Sequence, residues 1–228
     1  MNEFTNFLTL YTVTSGHDSN FTHCIQINNL RRIVNIPHSA HYQFMMLYKN
    51  AKNSLQAGQI FYIIERPVNK CSVFIDVDFK HVESSRQYTL QTIKDLLSTY
   101  NNELSNLHFN NSRLESFVLE KQNPEMTEGS TPPQYKDGFH IIYPNVKLTI
   151  DEQKELSIKV NLILSTHPLL SNKIDVTCLK SGLVMYGSKK PNKLPYLLTH
   201  ILDSELHEVV YQTHTCSGNL ENYLSLRS

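Results

Sequence analysis

The run Cys71-Ser-Val-Phe-Ile-Asp-Val-Asp-Phe-Lys80 constrains this chain more than any other stretch. Its alternation is that of a β-strand. Val73, Ile75, Val77 and Phe79 fall on one face; Ser72, Phe74, Asp76, Asp78 and Lys80 fall on the other. Carboxylates at i and i+2 of a strand share a side, roughly 6.5–7 Å apart at the backbone. Held together on an apolar strand, they repel and lose solvation. Two arrangements relieve this: the pair faces bulk water, or a divalent cation sits against both. The apolar partner face, and Phe74 among the acids, mark a central strand and favour the cation.

A third carboxylate would complete a site of the kind that holds two metal ions roughly 3.5–4 Å apart and stabilises both oxygens of a phosphoryl transfer. Asp175 is the best placed, between Ile174 and Val176 and shortly before another strand; Asp95, Asp151 and Asp203 fall on helix or loop surfaces. A second strand, Gly138-Phe-His-Ile-Ile-Tyr143, ends at Pro144 and puts His140 on the face of Gly138 and Ile142. Lys136 joins that face if the strand begins early. An imidazole in this setting is either a hydrogen-bonded core group or a functional one. Gly138 admits a close neighbour, and Lys136 adds the charge that suits a triphosphate. The turn Gly187-Ser-Lys-Lys-Pro-Asn-Lys193 is basic but lacks the Walker spacing. It is either a solvated hairpin turn or a phosphate contact, and its place twelve residues after Asp175 favours contact.

The remaining chain alternates strands and helices, which gives a mixed α/β or α+β domain. Weak strand signals lie at 7–13 and 24–27, and Arg31-Arg32 reads as a solvated loop pair or a phosphate contact. Ser39 can cap a helix to about 57, with Phe44, Met45, Leu47, Tyr48, Ala51 and Leu55 as its stripe, the Met45-Met46 pair as core filler and Gly58 as the stop. Residues 59–65 form a strand, expected to make a hairpin with 71–80 across the 66–69 turn. A second helix runs from Ser84 or Ser85 to about 104, and a strand covers 114–120. Residues 123–137, polar and rich in proline, read as a long loop. Thr149-Ile-Asp-Glu152 is a capping box for a helix carrying Leu156, Ile158, Val160, Ile163 and Leu164. Short strands are expected at 182–186, 196–202 and 208–214, and a helix at 219–226.

Composition narrows the partners. With 21 basic and 21 acidic residues the formal net charge is zero, so a nucleic acid must be held by a local patch. The four cysteines, Cys24, Cys71, Cys178 and Cys216, form no CxxC pair, which argues against a zinc ribbon and fits free thiols in a reduced, intracellular protein. No apolar run approaches the roughly 20 residues of a membrane helix, and no secretory signal is visible.

Three segments occur in order: Phe74-Ile-Asp-Val-Asp-Phe79, Gly138-Phe-His-Ile-Ile-Tyr-Pro144, and Ile174-Asp-Val176 followed by Met185-Tyr-Gly-Ser-Lys-Lys190. Together they resemble the three motifs of the archaeo-eukaryotic primase superfamily, closest to the primase domain of the primase–helicases of large nucleocytoplasmic DNA viruses. Ile64-Glu-Arg-Pro67 is similar to that family too, and the likeness covers roughly residues 40 to 228. It implies an α+β fold, a small αβ unit and an RRM-like unit with the active-site cleft between them. It implies a single catalytic domain over 1–228, excised from a longer primase–helicase, working at a viral replication site in the host cytoplasm or nucleus. By this resemblance Asp76, Asp78 and Asp175 ligate Mg²⁺ or Mn²⁺. His140 contacts the triphosphate, with Lys136, Ser188, Lys190 and Lys193 as further nucleotide contacts. Single-stranded DNA template and nucleoside triphosphates are the implied partners, with a helicase module in the same parent chain and no membrane. The sequence departs from the family at Gly138, where relatives often have Ser, and at Val184 and Met185, where many have an arginine.

Two other readings stand beside it. Asp78-Phe-Lys80 with Glu65 upstream is also the pattern of a metal-dependent nuclease, in which Lys80 would position the attacking water. The third is a non-catalytic nucleic-acid-binding module that kept the fold.

Overall fold

The computed structural model describes residues 1–13, 21–110, 114–211 and 220–227. The first unit is built on helix α1 (Asn2–Leu10), strands β1 (His23–Ile27) and β2 (Leu30–Val34), helix α2 (His38–Asn53) and strand β3 (Phe61–Glu65). Phe4, Phe7 and Leu8 recur at helical spacing and all are buried, so the segment around Phe7 is helical rather than the expected strand. Arg31 and Arg32 lie on β2, not in a loop, and Arg32 donates to Thr9 of α1. Helix α2 begins behind Pro37 rather than under a Ser39 cap, and it stops at Asn53, before Gly58. Of the methionine pair, Met45 is buried and Met46 exposed. Alternate residues of β1 and β3 (Ile25, Ile27, Phe61, Ile63) pack with Phe4, Phe44 and Tyr48 into one core.

Strand β4 (Lys70–His81), helix α3 (Leu90–Asn106), strands β5 (Ser116–Glu120), β6 (Glu125–Thr127) and β7 (Gln134–Thr149), and helix α4 (Ile150–Ile163) make the second unit. A one-turn helix α5 (Cys178–Ser181) and strand β8 (Leu183–Val184) follow, then β9 (Leu197–Leu202) and a short helix α6 (Leu220–Tyr223). The described residues form two antiparallel sheets, ordered β2-β1-β3-β8 and β4-β7-β5-β9, with β6 on β7. The expected hairpin between β3 and β4 does not form. β3 pairs with β1 and β8, while β4 pairs with β7, so residues 66–69 carry the chain from one sheet to the other. The fold is α+β, as expected.

The alternation read in β4 holds. Val73, Ile75, Val77 and Phe79 join Phe139, Ile141 and Tyr143 of β7 under Leu96, Leu97 and Leu156. On the other face Phe74, Phe117, Leu119 and Ile142 pack against Leu179, Leu183, Leu220 and Leu224. β5 is buried on both faces, at roughly 1.5–3 kcal/mol for each apolar side chain removed from water. β7 does not end at Pro144. Val73 pairs with Tyr143 and Ser72 with Lys147, so 144–146 form a bulge that accommodates the proline. Residues 123–137 are no open loop either: β6 and the start of β7 pair from Glu125↔Lys136 to Thr127↔Gln134.

Helix α3 starts later than expected, with Thr89 as cap and a capping box to Thr92. The Thr149–Glu152 box forms as read, but α4 buries Gln153, Leu156, Ser157 and Val160 and leaves Ile158 and Ile163 exposed. Of the strand expected at 208–214, a bridge joins Glu208 to Leu202; residues 212–214 and Asn219 lie outside the described residues. Cys24, Cys71 and Cys178 are free thiols, and Cys216 also lies outside. No helix among the described residues is long and apolar enough to cross a membrane.

Candidate active site

Sequence alternation puts Asp76 and Asp78 on the β4 face away from α3 and α4. Asp175 reaches them along the strand's outer edge. Ile174 bridges antiparallel to Val77, Asp175 N donates to Asp76 O (2.8 Å), and Asp78 N donates to Lys173 O (3.2 Å). A segment about a hundred residues downstream thus lies against β4 through its backbone, and its carboxylate comes abreast of the pair. Thr177 fixes that carboxylate, donating from both N and Oγ1 to Asp175 Oδ1 at 2.7 Å. Each of the three acids offers an oxygen within 4.8 Å of the other two, the one such metal-sized group among the described residues.

The cluster is electrostatically costly without a cation. The Asp76 side chain is 18% exposed. Burial, then the charges of Asp78 and Asp175, push its pKa from 3.8 up to about 7. Its Oδ1 is buried with no hydrogen-bond partner; His140 Nε2 is 3.5 Å away. An unpartnered buried carboxylate oxygen facing two further carboxylates fits a bound cation, and an all-oxygen donor set suits a hard divalent ion.

His140 sits directly opposite Asp76 in the β4–β7 register, and Gly138 sits opposite Asp78. The close neighbour that Gly138 admits is β4 itself: a Cβ there would lie 2.1 Å from Val77 O. The imidazole is 4% exposed and stacks on Tyr196, ring centroids 3.7 Å apart. Burial, then Lys121, Lys190 and Lys136, lower its pKa to about 3. His140 is therefore neutral at working pH. It can hydrogen-bond an oxygen but carries no charge to neutralise one.

Lys136 does share the acidic face, its Nζ 2.8 Å from Asp78 Oδ2. Burial opposes its charge, but the bond to Asp78 and the neighbouring acids outweigh burial and raise its pKa. Lys189, Lys190 and Lys193 line the same cleft of 740 Å³. Ser188 lines it too, but its hydroxyl is engaged: it accepts from Ile63 N (2.6 Å) and donates to Phe61 O (3.1 Å), tying the basic turn to β3.

Sequence reasoning missed Lys121. It follows the last residue of β5 and enters the cleft with a side chain 10% exposed, 2.5 Å from Glu125 and 5.2 Å above the Tyr196 ring. Its only signal was a lysine directly after the Phe117-Val-Leu-Glu120 end of a strand. Glu125 also accepts from Leu194 N (2.6 Å), so the β6–β7 hairpin holds the end of the basic turn. Arg86 was missed as well. It donates to Asp137 (2.9 Å), Glu120 (2.8 Å) and Lys121 O (2.5 Å), and so anchors the strand ends beside the cleft.

The nuclease grouping does not assemble. Glu65 lies in the other sheet, buried with His23, and accepts from Ser225 Oγ (2.6 Å) and Leu226 N (2.8 Å). Lys80 is exposed opposite Lys136, and Glu65 is not in the carboxylate group that Asp78 forms with Asp76 and Asp175. A family model described as the C962R protein N-terminal AEP domain matches residues 22–202. No curated protein matches the chain.

Proposed function

Because this chain belongs to the archaeo-eukaryotic primase family, we propose that it is a DNA-template-dependent nucleotidyl transferase that makes primers. The observation that carries this reading is the Asp76–Asp78–Asp175 cluster, set in one cleft with Lys121, Lys136 and Lys190. The acids would hold Mg²⁺ or Mn²⁺, which when bound lowers the pKa of an attacking 3′-hydroxyl and offsets charge on the triphosphate. Asp175, pinned by Thr177, keeps its carboxylate in place for this without reorganisation. Neutral His140, clamped by Tyr196, hydrogen-bonds a phosphate oxygen, and Lys121, Lys136, Lys190 and Lys193 supply the countercharge. A helicase module in the same parent chain and a viral replication site belong to the same proposal.

Incorporation of labelled nucleotides on single-stranded DNA with Mn²⁺ tests it. Wild type should extend, and the Asp76→Ala, Asp78→Ala double variant should fall to background while still folded. Equal incorporation by both would remove the site assignment.

A further inference from the structure

The first sheet has a face that the catalytic reading does not use. Helices α1 and α2 pack on the side of Ile25, Ile27, Phe61 and Ile63. The other side is a half-exposed surface of two cross-strand rows. Arg31, Gln26 and Tyr62 are register partners in one row; Ile33, Cys24, Ile64 and Val184 are partners in the next. At about 4.8 Å per strand the four strands span about 14 Å. Beyond Ile64, Arg66 continues the surface with its guanidinium 4.2 Å over the Phe21 ring.

We propose that this face is a platform for single-stranded DNA leading into the cleft. Continuity is the first support: Tyr62, Ile64 and Val184 also line the cleft that holds the three aspartates. Charge is the second. Among the described residues the face brings two arginines and no carboxylate, and the lysines of the 187–193 turn extend the positive surface across the cleft. Its chemistry is the third. A half-exposed tyrosine offers a stacking surface to a base, the isoleucines and Val184 offer apolar contact, and exposed Arg31 offers a phosphate contact, with Arg66, which donates to Lys180 O, adding charge nearby; this combination holds a single strand without reading its sequence. A chain of zero net charge needs such a local patch to hold a polyanion. That the bound strand is a template rests on the nucleotidyl-transfer reading; that the face binds single-stranded DNA does not.

The test is fluorescence anisotropy of a labelled oligothymidylate with the full chain in EDTA, without nucleotide, so that no catalytic step enters. Tyr62→Ala should weaken binding about tenfold or more, the scale of one lost base–aromatic stack, and Tyr62→Phe should bind as wild type does. Arg31→Gln should reduce the slope of log K against log salt by about 0.7, one phosphate contact on a single strand. Tyr62→Ala binding like wild type overturns the platform, as does a Tyr62→Phe loss of equal size, since phenylalanine keeps the stacking face. Tyr62-dependent binding in a protein that incorporates no nucleotide supports the platform and counts against the enzyme reading alone.

Discussion

Replacing Asp76 with asparagine removes a charge that the metal-free protein carries at a cost. The Asp76 carboxyl titrates near 3.8 when unfolded and at about 7 in the folded chain. The difference of about three pKa units, at 1.36 kcal/mol each, is about 4 kcal/mol. The folded pKa is the higher one, so the folded state holds the proton more tightly. Stability is therefore full below about pH 4 and is lost as pH rises through about 7. Asp76→Asn escapes that loss. For a chain of this size each kcal/mol is worth roughly 2–4 °C, so the variant should melt roughly 8–16 °C above wild type at pH 8 in EDTA. At pH 5 most of the penalty has not yet developed, and the gap should fall below half. Thermal unfolding followed by circular dichroism reads both conditions. Mn²⁺ should then raise the wild-type midpoint and do little for Asp76→Asn, because the cation offsets the same repulsion. A variant that melts with or below wild type at pH 8 without metal, or a gap that ignores pH, would refute the electrostatic account of the cluster.

Gly138→Ser places a Cβ on Val77 O and should cost about 3 kcal/mol or more, the upper end for overpacking, read as a lower urea midpoint with unchanged m-value. The β4–β7 backbone contact thus accounts for the glycine at this position. Arg86→Ala leaves Asp137, with a side chain of zero exposure, and Glu120 without their guanidinium; chemical denaturation should show a loss of about 3–5 kcal/mol, with Arg86→Lys recovering only part because the two-pronged bond is gone.

Local patterns carried much of this fold. The period-two alternation of β4 and β7 gave the correct faces, and it put Asp76, Asp78, His140 and Lys136 on the correct side. The Thr149 box marked a helix start that the structure keeps. What local pattern could not carry was pairing at a distance. The turn at 66–69 has hairpin chemistry, yet β4 prefers the long apolar β7, and nothing near residue 70 signals that partner. Helix α1 was hidden because three buried residues in nine make only a short helical stripe. Lys121 and Arg86 were illegible for another reason. Their meaning lies in what surrounds them, Glu125 and Tyr196 for one and Asp137 and Glu120 for the other, and those neighbours come from separate segments of the chain. Asp175 was legible only as an acid in an apolar context; its backbone contact with β4 is what makes it part of the cluster.

That contact makes Asp175 the sharpest probe of the central claim. Asp175→Ala leaves the backbone donor to Asp76 O in place and removes the third carboxylate together with the two bonds it accepts from Thr177. The decisive measurement is metal-dependent primer synthesis on single-stranded DNA by wild type and Asp175→Ala, with matched folding confirmed by circular dichroism. Incorporation that requires Mn²⁺ or Mg²⁺ in wild type and drops to background in the variant is the result expected of a nucleotidyl-transfer centre built on these three aspartates. Synthesis that survives in Asp175→Ala, or that proceeds in EDTA, would contradict it.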